Sequence, residues 1–154
     1  MKRYSDMNVI IDTNICISTI IFDQSVEQYF KEIINIPNLK IYFSTETYQE
    51  LEAKLFTSSK IQKLIAKSNR PIDNQHIIQY LEILKVDLGI IVETKLPKID
   101  ICRDPQANKF LELAREIGAD YIISGDKDLL ELQEFEGCQI VKPGDFVEAL
   151  AMNL

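Results

Sequence analysis

Short runs of β-branched and other apolar residues alternate along this chain with segments of helical periodicity. Such alternation is typical of βαβ units, in which a crossover helix returns the chain to a parallel strand. The runs that predict strands are residues 8–11, 39–43, 89–92, 120–123 and 138–141. The sequence therefore predicts an α/β fold built on a parallel sheet.

The segments between these runs are predicted to be helical. Asp104 and Pro105 mark one start clearly, because Asp is a good N-cap and Pro suits the first helical position. No repeat or long linker interrupts the chain, and its 154 residues suit one domain, here 1–154. The predicted helices are residues 13–22, 25–34, 44–56, 58–68, 73–84, 104–118 and 143–151.

The charge balance limits the class of protein. There are 17 basic and 24 acidic residues, which gives a net charge of −7. A protein that coats nucleic acid non-specifically should be basic, so the acidity argues against that class. It does not exclude a nuclease, because bound metal ions neutralise part of such a site and meet the phosphate directly.

The cysteine count and the hydropathy pattern indicate the compartment. Three cysteines cannot form a complete disulfide framework, and no pair has zinc-knuckle spacing, which predicts reduced thiols in a cytosolic protein. No apolar run approaches the roughly 18 residues that a membrane span needs. Asp12 also interrupts the first apolar run before it reaches the length of a signal peptide. We expect a cytoplasmic protein without a membrane span.

Acidic residues stand where such a sheet would gather them. Asp12 directly follows the apolar run 9–11, Asp126 comes three residues after the run 121–123, and Glu50 lies on the helix after the second strand. Acids just beyond the carboxyl ends of parallel strands face the crevice where these folds bind ligands. Gathered carboxylates repel one another unless a cation lies between them, and Mg²⁺ and Mn²⁺ prefer oxygen ligands. The pattern indicates a metal-assisted hydrolase.

Each of these residues also has a plainer interpretation. Asp12 could simply cap the following helix, and Glu50 could be an ordinary solvated side chain. Asn14 could position a water or a metal, or could serve a turn. One member of the pair Asp126 and Asp128 is expected to cap the next helix. We interpret Asp126 as the chemical residue and Asp128 as the cap or as an outer-shell acid.

Four segments together resemble PIN-domain proteins, and most of all the branch that contains toxin components of bacterial toxin–antitoxin systems. No single segment is specific, but four in this order over one domain are. The resemblance runs from Asn8 to about Leu150. The segments are Val9-Ile10-Ile11-Asp12-Thr13-Asn14, residues 44–51, Arg103-Asp104-Pro105 with residues 108–114, and residues 119–130.

This resemblance implies a three-layer α/β/α sandwich with a mostly parallel five-stranded sheet. It also implies a ribonuclease that depends on Mg²⁺ or Mn²⁺ and that has RNA, a cognate antitoxin and a second copy of the chain as partners. Carried over position by position, its metal-binding and catalytic acids would be Asp12, Glu50 and Asp126, with Asn14, Ser124 and Asp128 beside them.

The chain departs from the family pattern at one position. Family members normally carry an Asp seven residues before the alanine that matches Ala114, and this chain has Ala107 there. Ala107, Leu111 and Ala114 share one helix face, so the missing carboxylate would point toward the sheet. Asp104 could partly replace it, although its N-cap role is the better explanation. We therefore expect impaired activity in this chain.

Other functional classes fit less well. A haloacid-dehalogenase-type phosphatase needs a second Asp two residues after Asp12, where this chain has Asn14. No glycine-rich phosphate loop is present, and a serine triad would have to use the single histidine, His76. The main alternative is a non-catalytic PIN-like module that binds RNA or a protein partner. Ala107 favours that alternative, and the retained acids oppose it.

One feature of the sequence could reflect the expected dimer. The helical region 61–84 carries apolar positions beyond those that one sheet face obviously needs, and they could form an interface between two copies. Plain core packing is the alternative interpretation of the same positions. They are Ile61, Leu64, Ile65, Ile77, Ile78 and Leu81.

Overall fold

The computed structural model describes residues 7–21, 36, 38–68 and 71–152. At its centre lies a sheet of six strands. These are β1 (Met7–Ile11), β2 (Leu39–Ser44), β3 (Gly89–Val92), β4 (Tyr121–Ile123), β5 (Glu134–Phe135) and β6 (Cys138–Val141).

The strands are ordered β3-β2-β1-β4-β6-β5 across the sheet. The first five in this order run parallel, and β5 pairs antiparallel with β6. All five predicted strands are present, but the predicted number of strands is wrong. The sixth strand has only two residues, and a tight turn through Glu136 and Gly137, both at positive φ, joins it to β6.

Helices connect the parallel strands. The 3₁₀ turn Pro105–Ala107 leads directly into α5, and the π-helical segment Ile83–Leu88 follows α4. The predicted helix 25–34 lies outside the described residues. The helices are α1 (Thr13–Ile21), α2 (Thr45–Thr57), α3 (Ser59–Lys67), α4 (Asn74–Glu82), α5 (Asn108–Ile117), α6 (Lys127–Leu130) and α7 (Pro143–Met152).

Two hydrophobic cores flank the sheet, because successive side chains of a strand point to opposite faces. Val9 and Ile11 of β1 belong to the core beneath α1, α2 and α4, whereas Ile10 belongs to the core beneath α5. Phe146 of α7 is fully buried in the first core. The protein is therefore an α/β sandwich with a central mixed sheet between helices, as predicted apart from the strand count.

Core packing accounts for most of the apolar positions considered for a dimer interface. Ile65, Ile77 and Leu81 are buried, and Ile61 and Leu64 pack against the same core. Of the six, only Ile78 is largely exposed, at 45%. Within the described ranges, no helix combines the length and the apolar character needed to cross a bilayer.

Candidate active site

Asp12 stands at the junction of β1 and α1. Its backbone N–H donates to the carbonyl oxygen of Ile123 at 2.9 Å, which fixes it beside β4. Its Oδ1 accepts from the backbone N–H of Asn14 at 3.2 Å, and its Oδ2 accepts from the Ser124 hydroxyl at 2.5 Å. Asp12 is only 4% exposed. Asp12 therefore accepts from the first turn of α1, as the capping interpretation predicts, and it also contacts the end of β4. Its role as a metal ligand stays a prediction.

Ser124 links Asp12 to Asp126. The Ser124 side chain is fully buried, and its Oγ accepts from the backbone N–H of Asp126 at 2.9 Å while its proton goes to Asp12. Because this hydroxyl both donates and accepts, the two acids are held in one hydrogen-bonded chain across β1 and β4. Sequence reasoning placed Asp12, Ser124 and Asp126 together at this edge, and the structure brings them together.

Of the two interpretations of Asp128, the one as helix cap is wrong, and the one as an outer-shell acid stays a prediction. Asp126 caps α6, because its Oδ1 accepts from the backbone N–H of Asp128 at 2.8 Å. Asp128 instead forms an ion pair with Arg103, with 2.8 Å between Oδ1 and Nη2. Both residues are acids two positions apart, so the sequence alone could not decide which of them caps. Asp128 remains beside the site, paired with the largely exposed Arg103 side chain.

The electrostatic environment of Asp12 is unfavourable to its charge. Burial raises the pKa of the Asp12 carboxyl above its usual range, and the hydrogen bonds from Ser124 and Asn14 only partly oppose the rise. The negative charges of Asp126 and Glu50 raise this pKa further. The Asp12 carboxyl is therefore close enough to both other candidate acids for their charges to affect its pKa.

Glu50 faces this region from α2, but two lysines neutralise it. Its Oε1 lies 3.0 Å from the Nζ of Lys54, one turn further along the same helix. Its Oε2 is buried and forms an ion pair with the Nζ of Lys109 on α5. Lys109 is itself only 8% exposed. A buried lysine normally requires such a partner, so this pair joins α2 to α5 at the edge of the site.

Sequence reasoning did not identify Lys109. The local sequence gave no clear signal, because α5 also carries Glu112, Arg115 and Glu116, so one more charged residue on this helix suggests only a solvated face. Nothing in the local sequence names its partner, since Glu50 lies on a different helix. Lys109 Nζ also lies 3.3 Å from the Gln106 Oε1, which helps to fix its position.

Ala107 occupies the place of the missing acid and is 2% exposed. It belongs to the same buried cluster as Ile10, Leu111 and Ala114, so it faces the sheet as its position in the sequence indicated. Asp104 is the N-cap of this turn, with its Oδ1 accepting from the backbone N–H of Gln106 at 3.0 Å. Asp104 therefore has the N-cap role that the sequence favoured.

The comparison with protein families decides the fold family. Residues 8–128 match the family model of the PIN domain. This chain belongs to the PIN domain family. No curated protein matches the chain. PIN domains are generally metal-dependent nuclease folds, and the matched range includes every acid of the candidate site as well as Ala107.

The side chains of this PIN domain do not form a cage for a metal ion. Within the part of the chain that the structure describes, no three His, Cys, Asp or Glu residues are grouped so that they could hold one. Glu50 is neutralised by lysines, and position 107 has no carboxylate. Asp12 and Asp126 remain as a pair of acids. The donor set therefore does not fit an ion that is held by three protein carboxylates.

Proposed function

We propose that this PIN domain is an endoribonuclease that hydrolyses RNA phosphodiester bonds with Mg²⁺ or Mn²⁺, and that Ala107 impairs its activity. The observation that supports this most is the chain of hydrogen bonds from Asp12 through Ser124 to Asp126. Two acids at the carboxyl ends of neighbouring parallel strands, held by a buried hydroxyl, face the crevice where α/β folds bind ligands.

Each residue has a proposed role. Asp12 and Asp126 supply the negative charge that would attract a divalent cation to the crevice. Ser124 fixes their relative orientation, and Asn14, at the start of α1, positions water or a phosphate oxygen. Asp128 is held beside them by Arg103. A divalent ion in such a site would neutralise phosphate charge and activate water.

Glu50 has a role that depends on Lys109. In the present arrangement its carboxylate is neutralised, so it acts by holding the Lys109 ammonium at the edge of the site. It would serve as an inner- or outer-shell metal ligand only after that ion pair separates. Glu50 therefore belongs to the proposed site, but Asp12 and Asp126 are its principal acids.

A non-catalytic module that binds RNA or a protein is the second candidate. Two observations favour it, namely the alanine at position 107 and the neutralised state of Glu50. Against it stands Asp12, a buried acid whose raised pKa shows that its charge costs stability. A pure binding module would gain by losing that charge.

The wider biological setting is proposed on the family resemblance alone. It comprises a toxin role, a cognate antitoxin as partner, a homodimer and a cytoplasmic location. Ile78 and Ile83 are exposed apolar residues of region 61–84 in the described part of the chain, and both are available for a partner.

RNA cleavage assays test the proposed activity. The chain and its Ala107→Asp variant are incubated with single-stranded RNA in Mg²⁺, in Mn²⁺ and in EDTA. We expect slow metal-dependent cleavage by the chain, faster cleavage by Ala107→Asp, and loss of both on adding Asp12→Asn. Asp145→Asn, an exposed acid on α7, is the matched control. Cleavage that persists in EDTA and in Asp12→Asn would show that the activity does not come from this site.

A further inference from the structure

A cavity of about 330 Å³ opens at the carboxyl ends of β2 and β3. One wall is the first turn of α2 with Glu46 and Gln49, and the opposite wall is the loop of residues 93–96. Glu112 of α5 and Lys98 close the third side. The cavity therefore lies at the same edge of the sheet as the acids, on the side away from β4.

Part of the polar lining is already used by the protein. Lys98 Nζ lies 3.3 Å from Glu46 Oε1 and 3.9 Å from Glu112 Oε1. Glu112 is buried, and its Oε2 accepts from the backbone N–H of Ile99 at 3.0 Å. These contacts fix the wall formed by α5 and hold residue 98 against α2, so the cavity has a defined shape.

Three of the other polar side chains that line the cavity have no such partners. Within the described ranges, Gln49, Glu93 and Thr94 line the cavity and make no side-chain hydrogen bond or ion pair. They offer an amide, a carboxylate and a hydroxyl. Leu96, which packs against the core, adds an apolar surface between them. A flat, polar-edged ligand would find hydrogen-bonding groups at its edge and an apolar contact for its face.

Two helices and the strand order connect the cavity to the candidate site. Glu46 lies one turn before Glu50 on α2, and Glu112 lies three residues after Lys109 on α5. Across the sheet, β2 is the neighbour of β1, and adjacent strands lie about 4.8 Å apart. A single RNA strand that follows this edge of the sheet from a phosphate at Asp12 and Asp126 would therefore extend toward the cavity.

We propose that this cavity is a nucleobase subsite that prefers bases with an exocyclic amino group, namely adenine, cytosine and guanine. The inference rests on the proposed ribonuclease function and specifies which part of the RNA the protein reads. Three acids and two lysines line the cavity, a balance that disfavours a phosphate there. The carboxylate of Glu93 and the amide oxygen of Gln49 accept from amino hydrogens, and single-stranded RNA is commonly read on such unstacked edges.

Binding without cleavage tests the subsite directly. The ribodinucleotides UpA, UpC, UpG and UpU are titrated into the ¹⁵N-labelled chain in EDTA, and amide shifts are followed by NMR. We expect shifts at residues 49 and 93–96, with UpU binding at least about fivefold more weakly than the other three. Glu93→Gln should reduce the difference in affinity between UpU and the other three dinucleotides by about fivefold.

Glu134→Gln is the matched control, because Glu134 is an exposed acid on β5 at the opposite edge of the sheet. It should leave the preference unchanged. Equal affinity for all four dinucleotides, shifts confined to other surfaces, or an unchanged preference in Glu93→Gln would each overturn the subsite. If the preference is present but neither the chain nor Ala107→Asp cleaves RNA, the proposed activity fails while the subsite stands.

Discussion

The two halves of the candidate site differ in whether their acidic side chains have cationic partners. On the side of β1 and β4, Asp12 and Asp126 are joined through the buried Ser124, and neither forms an ion pair within the described part of the chain. On the side of α2 and α5, Glu50 is neutralised by Lys54 and Lys109, and Ala107 replaces the expected acid. The first half keeps a charge that costs stability, whereas the second half satisfies its charge internally.

This difference separates function from folding within one site. Stability alone would not maintain a buried acid whose pKa is raised by burial and by two neighbouring acids. A buried ion pair such as Glu50 with Lys109 is neutral overall and joins two helices. We therefore expect substitutions in the two halves to act in opposite directions on stability.

The largest expected effect follows from Lys109→Met. It leaves the buried Glu50 Oε2 without its ammonium partner, and breaking a buried pair from one side is strongly destabilising. Because Lys54 still pairs with Oε1 and Glu50 is partly exposed, the cost should be at or below the low end of what breaking a buried pair usually costs. We expect the free energy of unfolding to fall by about 2–3 kcal/mol. Urea unfolding of the purified variants measures it.

Lys54→Met is the control for this substitution, since it removes the other lysine of the same carboxylate. The Lys54 side chain is 42% exposed, so its loss should cost within about 0.5 kcal/mol. Adding Glu50→Gln to Lys109→Met should restore much of the lost stability. Equal losses of stability in the two lysine variants would show that the ion pair between Glu50 and Lys109 stabilises the fold no more than a surface contact does.

A smaller effect is expected from Ala107→Asp, which would make the second half resemble the first. A carboxylate at this 2% exposed position would be buried without a partner, so we expect a loss of stability of about 1–2 kcal/mol without metal. Added Mn²⁺ should offset that loss and raise Tm in the variant more than in the parent chain, because binding to the folded state stabilises it.

Thermal unfolding with and without Mn²⁺ measures both effects, and Ala107→Asn supplies the same side-chain size without the charge. Ala107→Asn should respond to Mn²⁺ as weakly as the parent. If Ala107→Asp responds no better than Ala107→Asn, the missing acid is not what limits metal binding, and the non-catalytic alternative becomes the better interpretation.

The sequence was informative wherever local patterns decide structure. The apolar runs located five strands, and the position of Asp12 and Asp126 after two of them placed both at one edge. Asp104 could be recognised as an N-cap because the following Pro105 restricts that choice. Each of these features depends on residues close together in the chain.

Features that depend on contacts between distant segments were missed. The pair of Glu50 and Lys109 forms only because α2 packs on α5, and no periodicity shows this. The choice of Asp126 over Asp128 as the cap is accompanied by an ion pair to Arg103, 25 residues away in sequence. The two-residue strand β5 is too short for any alternation of polar and apolar residues to mark it.

The smallest expected effect is a pH dependence at Asp12. Because its pKa is raised in the folded state, that state holds more protons than the unfolded chain at pH values just above the ordinary value of 3.8. The free energy of unfolding therefore falls as the pH rises through this window, and at pH 7 the ionised Asp12 destabilises the fold. Asp12→Asn removes the charge, and its oxygen can still accept one of the two hydrogen bonds that Asp12 receives.

We expect Asp12→Asn to raise Tm by about 2–4 °C at pH 7, with the difference shrinking as the pH falls toward 3.8. Thermal unfolding across this pH range, with the exposed Asp145→Asn as control, measures it. A variant that is less stable than the parent at pH 7 would mean that the two hydrogen bonds outweigh the buried charge. Asp12 would then be a structural cap, and the contrast between the two halves of the site would no longer indicate where function lies.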